Sequence, residues 1–411
     1  MNFNHANPNI MWIDLNSAFA TTEQQAHPHL RHRPVGITNR ISPECCIITS
    51  SYEARACGVK TGMRRSEALR LCPELVLLES DPPKYRTVYA KLLNIMQSYS
   101  DRAEMHSIDE GLIDLNYTPY ANDLDKLVAL GYTIKQRVRQ EIGDHITINV
   151  GLGPNRFLAK LAAGLHKPDG LDAITADNLV ETYAQLKLTK LTGIADRYAK
   201  RLRLSGIKTP LEFLLTDEAK LVEIFHGVVG SQWYRRLRGY EVDNRPTNIT
   251  TIGRQWMVDH PTNDPEFINS CLHHLAEAVG IKLRYKRCSA RGVGIYLVYQ
   301  VGGVYKRKIL ADQPIRTDAD IWRLLKSIAD GRNQALNLRM LNVYLYNIIP
   351  TEQEQLILAD QPLRPHQLTR TIDHINARYG TKTIHSAEST VGAARIQQKV
   401  PFGSTRYFDL L

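Results

Sequence analysis

No stretch of the 411 residues is long and apolar enough to span a membrane. The longest uncharged internal run, Gly292 to Tyr305, is short and carries Gln300, Gly302 and Gly303. The first ten residues, MNFNHANPNI, lack a basic segment followed by an apolar core, so a secretion signal is not expected. Six cysteines, at positions 45, 46, 57, 72, 271 and 288, show no C-x-x-C spacing. Zinc ribbons and dense disulfide frameworks are therefore not expected, and free thiols in a reducing cytoplasm are. No repeat of fixed period is evident. With 43% hydrophobic and 23% charged residues the composition excludes wholesale disorder. Acids are fewer than bases, 42 against 52, and the net charge of +10 suits a polyanionic partner or simply a basic soluble protein. A chain of this length holds roughly two to four domains.

The hydrophobic pattern in the first 170 residues alternates strands and helices. Ile10–Ile13 reads as a buried strand ending at Asp14, with a helix starting near Asn16 or Ser17. Cys45–Ser51 is strand-like, and turns of helix follow at Tyr52–Cys57 and Ser66–Leu71. Asp81-Pro82-Pro83 is a break before a helix over Tyr85–Tyr99. Strands are expected at Glu104–Ile108 and Gly111–Leu115, a helix at Leu124–Ile142, a strand at His145–Leu152 and a helix at Asn155–Leu165. The pattern predicts an α+β domain with a mainly antiparallel sheet and helices on one face. Short helices with glycine punctuation run from Asn178 to Tyr240, and the polar stretch Glu241–Thr251 fits a linker. A second α+β unit follows, with helices at Pro265–Arg284 and Asp318–Ala329, a hairpin over Gly292–Leu310 and a strand at Asn342–Ile348. The last 60 residues are polar, with one helix near Leu368–Tyr379.

Three acids stand out. Asp14 ends a buried strand, and Asp109 and Glu110 join two apolar strands. A lone acid at a strand end is ordinarily a solvated turn residue. Adjacent acids between apolar strands repel unless a cation offsets them. If the strands are neighbours, the three carboxylates converge as ligands for hard divalent cations such as Mg²⁺. Two such ions about 4 Å apart would serve an in-line phosphoryl displacement. Tyr52 and Arg55 share one face of a helical turn and suit a polyphosphate, or form an ordinary surface pair. Lys160 and Lys167 are further candidates to neutralise a triphosphate.

These pieces stand in the order and spacing of the Y-family translesion DNA polymerases. They are Asp14-Leu15-Asn16-Ser17-Ala18-Phe19, Tyr52-Glu53-Ala54-Arg55, Gly62-Met63 with Ser66-Glu67-Ala68, Ser107-Ile108-Asp109-Glu110, Val150-Gly151 leading to Asn155 and Ala159-Lys160-Leu161-Ala162, and Lys167-Pro168-Asp169-Gly170. Residues 10–350 resemble the bacterial polymerase IV branch (DinB/UmuC-like). The resemblance implies a right-hand polymerase: a ferredoxin-like palm (1–17 and 81–174), small fingers (18–80), a helical thumb with a helix-hairpin-helix (175–241), a linker (242–250), an α+β little finger (251–350) and a C-terminal tail (351–411). It implies that Asp14, Asp109, Glu110 and the Leu15 carbonyl hold two Mg²⁺ ions. Tyr52, Arg55 and Lys167 would contact the incoming dNTP, and Phe19 would be the steric gate against a 2′-hydroxyl. Ala18 departs from the usual second aromatic, and Asn16 replaces a common Asp.

Leu191–Ala195 with Tyr198–Leu204 resembles a helix-hairpin-helix whose backbone, Gly193 included, would bind phosphate. Residues 245–350 carry 15 basic against 8 acidic residues. Lys282, Arg284, Lys286, Arg287, Arg291, Lys306, Arg307 and Lys308 lie there in one acid-free run, and with Lys160 they are the expected contacts to primer–template DNA. Glu354–Ala359 and Tyr407–Leu411 loosely resemble sliding-clamp peptides. The expected protein is a cytoplasmic, nucleoid-associated monomer that copies DNA without proofreading. Its rivals are a non-catalytic accessory subunit, which would lack the acids, and a nucleotide cyclase.

Overall fold

The computed structural model describes residues 3–42, 45–244, 248–351, 363–380 and 383–396. The chain divides into two compact units, one running to residue 245 and the other from 246 to 398. That division falls inside the polar 242–250 stretch.

The first unit begins with β1 (Ile10–Leu15) and α1 (Ala18–Ala26). A small three-stranded sheet with short helices follows: β2 (Val35–Thr38), β3 (Thr49–Ser50), α2 (Tyr52–Ala56), α3 (Arg65–Leu71) and β4 (Val76–Glu79). The chain continues through α4 (Pro82–Gln97), β5 (Ala103–Met105), β6 (Glu110–Asp114), α5 (Leu124–Glu141), β7 (Ile148–Gly153), α6 (Arg156–Ala162) and β8 (Leu171–Ala173). Its main sheet has the order β5-β6-β1-β7-β8 and is antiparallel except between β7 and β8. The Asp81-Pro82-Pro83 break is a helix start. Asp81 caps the Lys84 N–H at 3.2 Å, and the prolines occupy first-turn positions where no N–H partner is lost.

Alternation along β1 sorts its side chains. Met11, Ile13 and Leu15 pack with Leu92, Ile95 and Met96 of α4 and with Leu127, Leu130 and Ile134 of α5. Ile10 and Trp12 point the other way, onto Ala159 and Ala163 at α6. Helices therefore cover both faces of the sheet, which corrects the one-face expectation. Close approach explains it: a Cβ on Gly151 would stand 2.1 Å from the Ala159 carbonyl, so only glycine lets α6 lie down on β7.

Among the described residues five α-helices follow in this unit: α7 (Leu179–Ala184), α8 (Asp196–Leu204), α9 (Pro210–Leu215), α10 (Glu218–Phe225) and α11 (Val228–Leu237). Their core centres on Phe213, Phe225 and Trp233.

The second unit holds β9 (Thr251–Thr262), α12 (Pro265–Tyr285), β10 (Cys288–Tyr299), β11 (Val304–Ile315), α13 (Asp318–Ala329), β12 (Leu338–Pro350), α14 (Leu363–Tyr379) and α15 (Thr390–Arg395). Its antiparallel sheet has the order β11-β10-β12-β9. Val293, Ile295, Leu297, Leu341, Val343 and Leu345 pack against Leu272, Leu275 and Val279 of α12. The expected tail at 351–411 is in part no tail, because residues 363–380 and 383–396 belong to this unit. Asp373 binds Arg284, the Ser386 N–H and Ser389 hydroxyl donate to Glu277, and Ile396 enters the core. Most of these ties are polar, so no apolar periodicity announced them. The two clamp-like segments lie outside the described residues.

Candidate active site

Antiparallel pairing of β1 with β6 sets Asp14 directly opposite Glu110. The Leu15 N–H donates to the Asp109 carbonyl at 2.7 Å, which locks the third acid to the same sheet end. All three are half-buried. The Ser107 hydroxyl binds the Asp109 carboxylate and also accepts the Asp109 and Glu110 N–H groups, at 3.2 and 3.0 Å. Burial, with Glu110 adding to it, raises the Asp109 pKa above the usual carboxylate range, although Ser107 and Lys160 pull the other way.

Two lysines offset the charge. Lys160, on α6, donates to Glu110 Oε1 at 2.7 Å, and Trp12 Nε1 lies 3.3 Å from Oε2. Lys167 pairs with Asp14, and burial holds its ammonium below the usual lysine range. Lys160 thus sits in the acidic centre, not in the DNA grip expected from its charge. The three carboxylates line one sheet end without closing on a single point, and among the described residues no group of three or more acids, histidines or cysteines does so. The donor set nevertheless fits a hard divalent cation. It is all oxygen, its like charges sit at one strand end, and cations already neutralise two of the three.

Asn16 links the acids to the nucleotide-side residues. Its Oδ1 accepts the Tyr52 hydroxyl at 3.1 Å, while its Nδ2 donates to Thr147 at 3.0 Å. Burial raises the Tyr52 pKa against the pull of Arg55. Arg55 lies 5.0 Å from the Tyr52 ring centroid and donates to the Ser50 carbonyl at 3.2 Å. Phe19, on α1, is buried against Tyr85 of α4. Asn16, Ser107 and Tyr85 do not stand out in the sequence as working residues. The first two lie inside quoted motifs, whereas Tyr85 reaches the gate only through tertiary packing.

The expected DNA contacts separate. Gly193 takes φ +93° in the hairpin before α8, a conformation that favours glycine. In the second unit Lys306 and Lys308 are exposed and pair in register with Tyr296 and Gly294. Tyr344 and Tyr346 lie over Gly294 and Gly292, so Lys306, Lys308 and these rings share the face away from the core. Arg307 pairs with core-facing Ile295 and so belongs to the opposite face. Arg291 is exposed at a register shift in β10. Lys282, Lys286 and Arg287 belong to α12 and its exit, in the helical layer. Arg284 is a correction: it is held by Asp318 at 2.7 Å and Asp373 at 2.6 Å, an internal tie and not a DNA contact.

The sequence model of the impB/mucB/samB family matches residues 13–164, and that of its C-terminal domain matches residues 250–358. A DNA polymerase IV of Moorella thermoacetica is 31% identical over 393 residues, 93% of this chain and 96% of the relative. DNA polymerase IV 1 of Bacillus subtilis is 27% identical over 384 residues, 91% of each chain. The chain belongs to the Y-family DNA polymerases.

As a Y-family member it is a DNA-directed DNA polymerase of the translesion type, and the accessory-subunit alternative is not favoured. Membership carries binding of primer–template DNA and nucleotide and a general dependence on divalent metal. Its fold matches a Y-family chimera of Dbh and Dpo4 with a TM-score of 0.72 at 22% identity, covering 83% of this chain and 99% of that one. DinB from Sulfolobus solfataricus matches with a TM-score of 0.56, also at 22% identity and the same coverage. Among the described residues no helix is long and apolar enough to cross a membrane.

Proposed function

We propose that Asp14, Asp109, Glu110 and the Leu15 carbonyl hold two Mg²⁺ ions for nucleotidyl transfer from a dNTP to a primer 3′ end. When bound, such ions lower the pKa of an attacking hydroxyl and stabilise a leaving phosphate. The chain's own residues do the rest. Ser107 fixes the Asp109 carboxylate and accepts the Asp109 and Glu110 N–H groups. Lys160 and Lys167 keep the acids from repelling one another, and the Lys167 ammonium beside Asp14 would meet the triphosphate. Tyr52 and Arg55 add a hydroxyl and a guanidinium for the phosphates. Phe19 presents a flat edge that excludes a 2′-hydroxyl. In the first unit Gly193, and separately in the second Arg291, Lys306 and Lys308, contact DNA backbone without reading sequence. We place it in the cytoplasm, at the nucleoid, and take the working form to be a monomer.

The observation that carries this reading is the Asp14–Glu110 register with Asp109 locked to Leu15. Primer extension with Mg²⁺, wild type beside Asp109→Asn, tests it. The variant should lose extension by about a thousandfold or more while retaining DNA affinity by fluorescence anisotropy. Extension at the wild-type rate would reject the assignment.

A further inference from the structure

Asp169 stands in the left-handed backbone region, φ +58°, two residues beyond Lys167. Two cations one helical turn apart on α5 grip its carboxylate. Lys135 Nζ is 3.2 Å from Oδ1, and Arg139 pairs with Oδ2. Lys135 also donates to the main-chain carbonyls of Asp169 and Gly170, the latter at 3.5 Å. The Lys135 side chain is only 9% exposed. Holding an ammonium away from water is costly unless its partners are fixed, and its hydrogen bonds all go to this one turn.

The opposite flank is equally fastened. Asn149, fully buried on β7, donates to the His166 carbonyl at 3.2 Å and the Ala163 carbonyl at 2.9 Å. The Val150 N–H donates to the Gly170 carbonyl at 3.1 Å. A Cβ on Gly170 would stand 2.0 Å from the His166 carbonyl, so the turn closes on itself. The backbone of residues 166–170 is thus pinned on both sides, and the Lys167 side chain extends from it to Asp14.

We infer that Lys135 and Arg139 are positioning residues: through Asp169 they fix the turn that presents Lys167, and so set the affinity for the incoming nucleotide's triphosphate. This rests on the reading that Lys167 meets that triphosphate. A loosened turn spreads the Lys167 ammonium over many positions, which weakens ground-state and transition-state binding alike. KM then rises while kcat holds.

The test uses the full chain in single-nucleotide incorporation. It compares Lys135→Met, Lys135→Arg and Lys167→Ala with the Lys135→Met/Lys167→Ala double variant. In parallel, acetylation of Lys167 by acetic anhydride is followed by peptide mass spectrometry. Lys135→Met should raise the KM for dNTP about tenfold with kcat within about twofold, and Lys135→Arg should restore most of the loss. In the Lys167→Ala background Lys135→Met should add nothing, and in Lys135→Met Lys167 should acetylate faster. A full additional loss in the double variant, or an unchanged acetylation rate, overturns the inference. If Lys167→Ala leaves KM unchanged while Lys135→Met speeds acetylation, the triphosphate reading of Lys167 fails and the positioning of the turn stands. Should Lys135→Met not fold, Arg139→Gln, at a half-exposed side chain, carries the same comparisons.

Discussion

Phe19 and Tyr85 lie face to face, their ring centroids 4.4 Å apart and their planes inclined by 24°. The stack joins α1 to α4 behind the proposed gate. Tyr85 is itself anchored, its hydroxyl donating to Glu23 at 3.0 Å while Lys84 donates to the same carboxylate at 2.6 Å. Phe19→Ala should raise ribonucleotide incorporation, read as the ratio of kcat/KM for rNTP and dNTP. Tyr85→Phe keeps the ring and should cost about 1 kcal/mol of stability with the gate intact. Tyr85→Ala should cost about 3–5 kcal/mol and weaken sugar selection as well. Unchanged discrimination in Phe19→Ala would remove the gate.

Gly151 carries a prediction that concerns stability. Its missing side chain is what allows α6, and with it Lys160, to reach the acids. Gly151→Ala places a methyl on the Ala159 carbonyl and the Ala163 backbone, neither of which can yield alone. A loss of about 3 kcal/mol or more is expected in denaturant melts, together with reduced extension. Gly206, whose Cβ would meet nothing within 4 Å but whose φ is +87°, is the control for a purely conformational cost. Gly206→Ala should cost about 1 kcal/mol.

Salt dependence separates the basic residues that the sequence ran together. Lys306→Ala with Lys308→Ala should flatten the log–log salt slope of DNA binding by about 2, close to 0.9 for each phosphate no longer neutralised. Arg284→Ala should leave that slope unchanged. It should instead destabilise the second unit by about 3–5 kcal/mol, because Asp318 and Asp373 lose their shared cation. A slope that falls equally in both experiments would return Arg284 to the DNA face.

Acid should undock the C-terminal segment. Glu277 accepts from the Ser386 N–H at 2.9 Å and from the Ser389 hydroxyl at 2.8 Å. Burial raises its pKa, but the nearby His274 ring, 3.8 Å away, and hydrogen bonds from Ser386 and Ser389 outweigh burial and leave it below the usual glutamate range. A depressed carboxylate stabilises above its unfolded pKa, and that contribution is lost as pH falls through the folded one. Protection factors for amide exchange across Ser386–Ile396, corrected for the intrinsic pH dependence of exchange, should therefore fall below about pH 4. Glu277→Gln should show lower protection factors already at neutral pH and little further fall in them on acidification.

What the sequence revealed follows from where the information is local. Asp14, Asp109 and Glu110 were legible because each lies beside an apolar strand whose pattern declares its neighbours. Helix α12 was legible over Pro265–Arg284, one residue short of its observed end at Tyr285. β9 was missed because it is mostly exposed and barely alternates. Arg284 was misassigned because a charge run says nothing of which residues face inward. The split of Lys306 and Lys308 from Arg307 is a period-two effect that a net-charge count averages away. Tyr85 and Lys135 act through contacts between elements distant in the chain, and no spacing rule carries that information.

Because Asp14 meets Glu110 through strand pairing, the geometry of the acids is inherited from the same alternation that builds the core. A slip of one residue between β1 and β6 would turn Trp12 toward α4 and α5, swing Ile13 to the α6 face and part the acids in a single event. Insertions or deletions inside either strand are thus disallowed twice over. Evolutionary or engineered tuning of this polymerase is channelled to the turns and helices that approach the acids from outside.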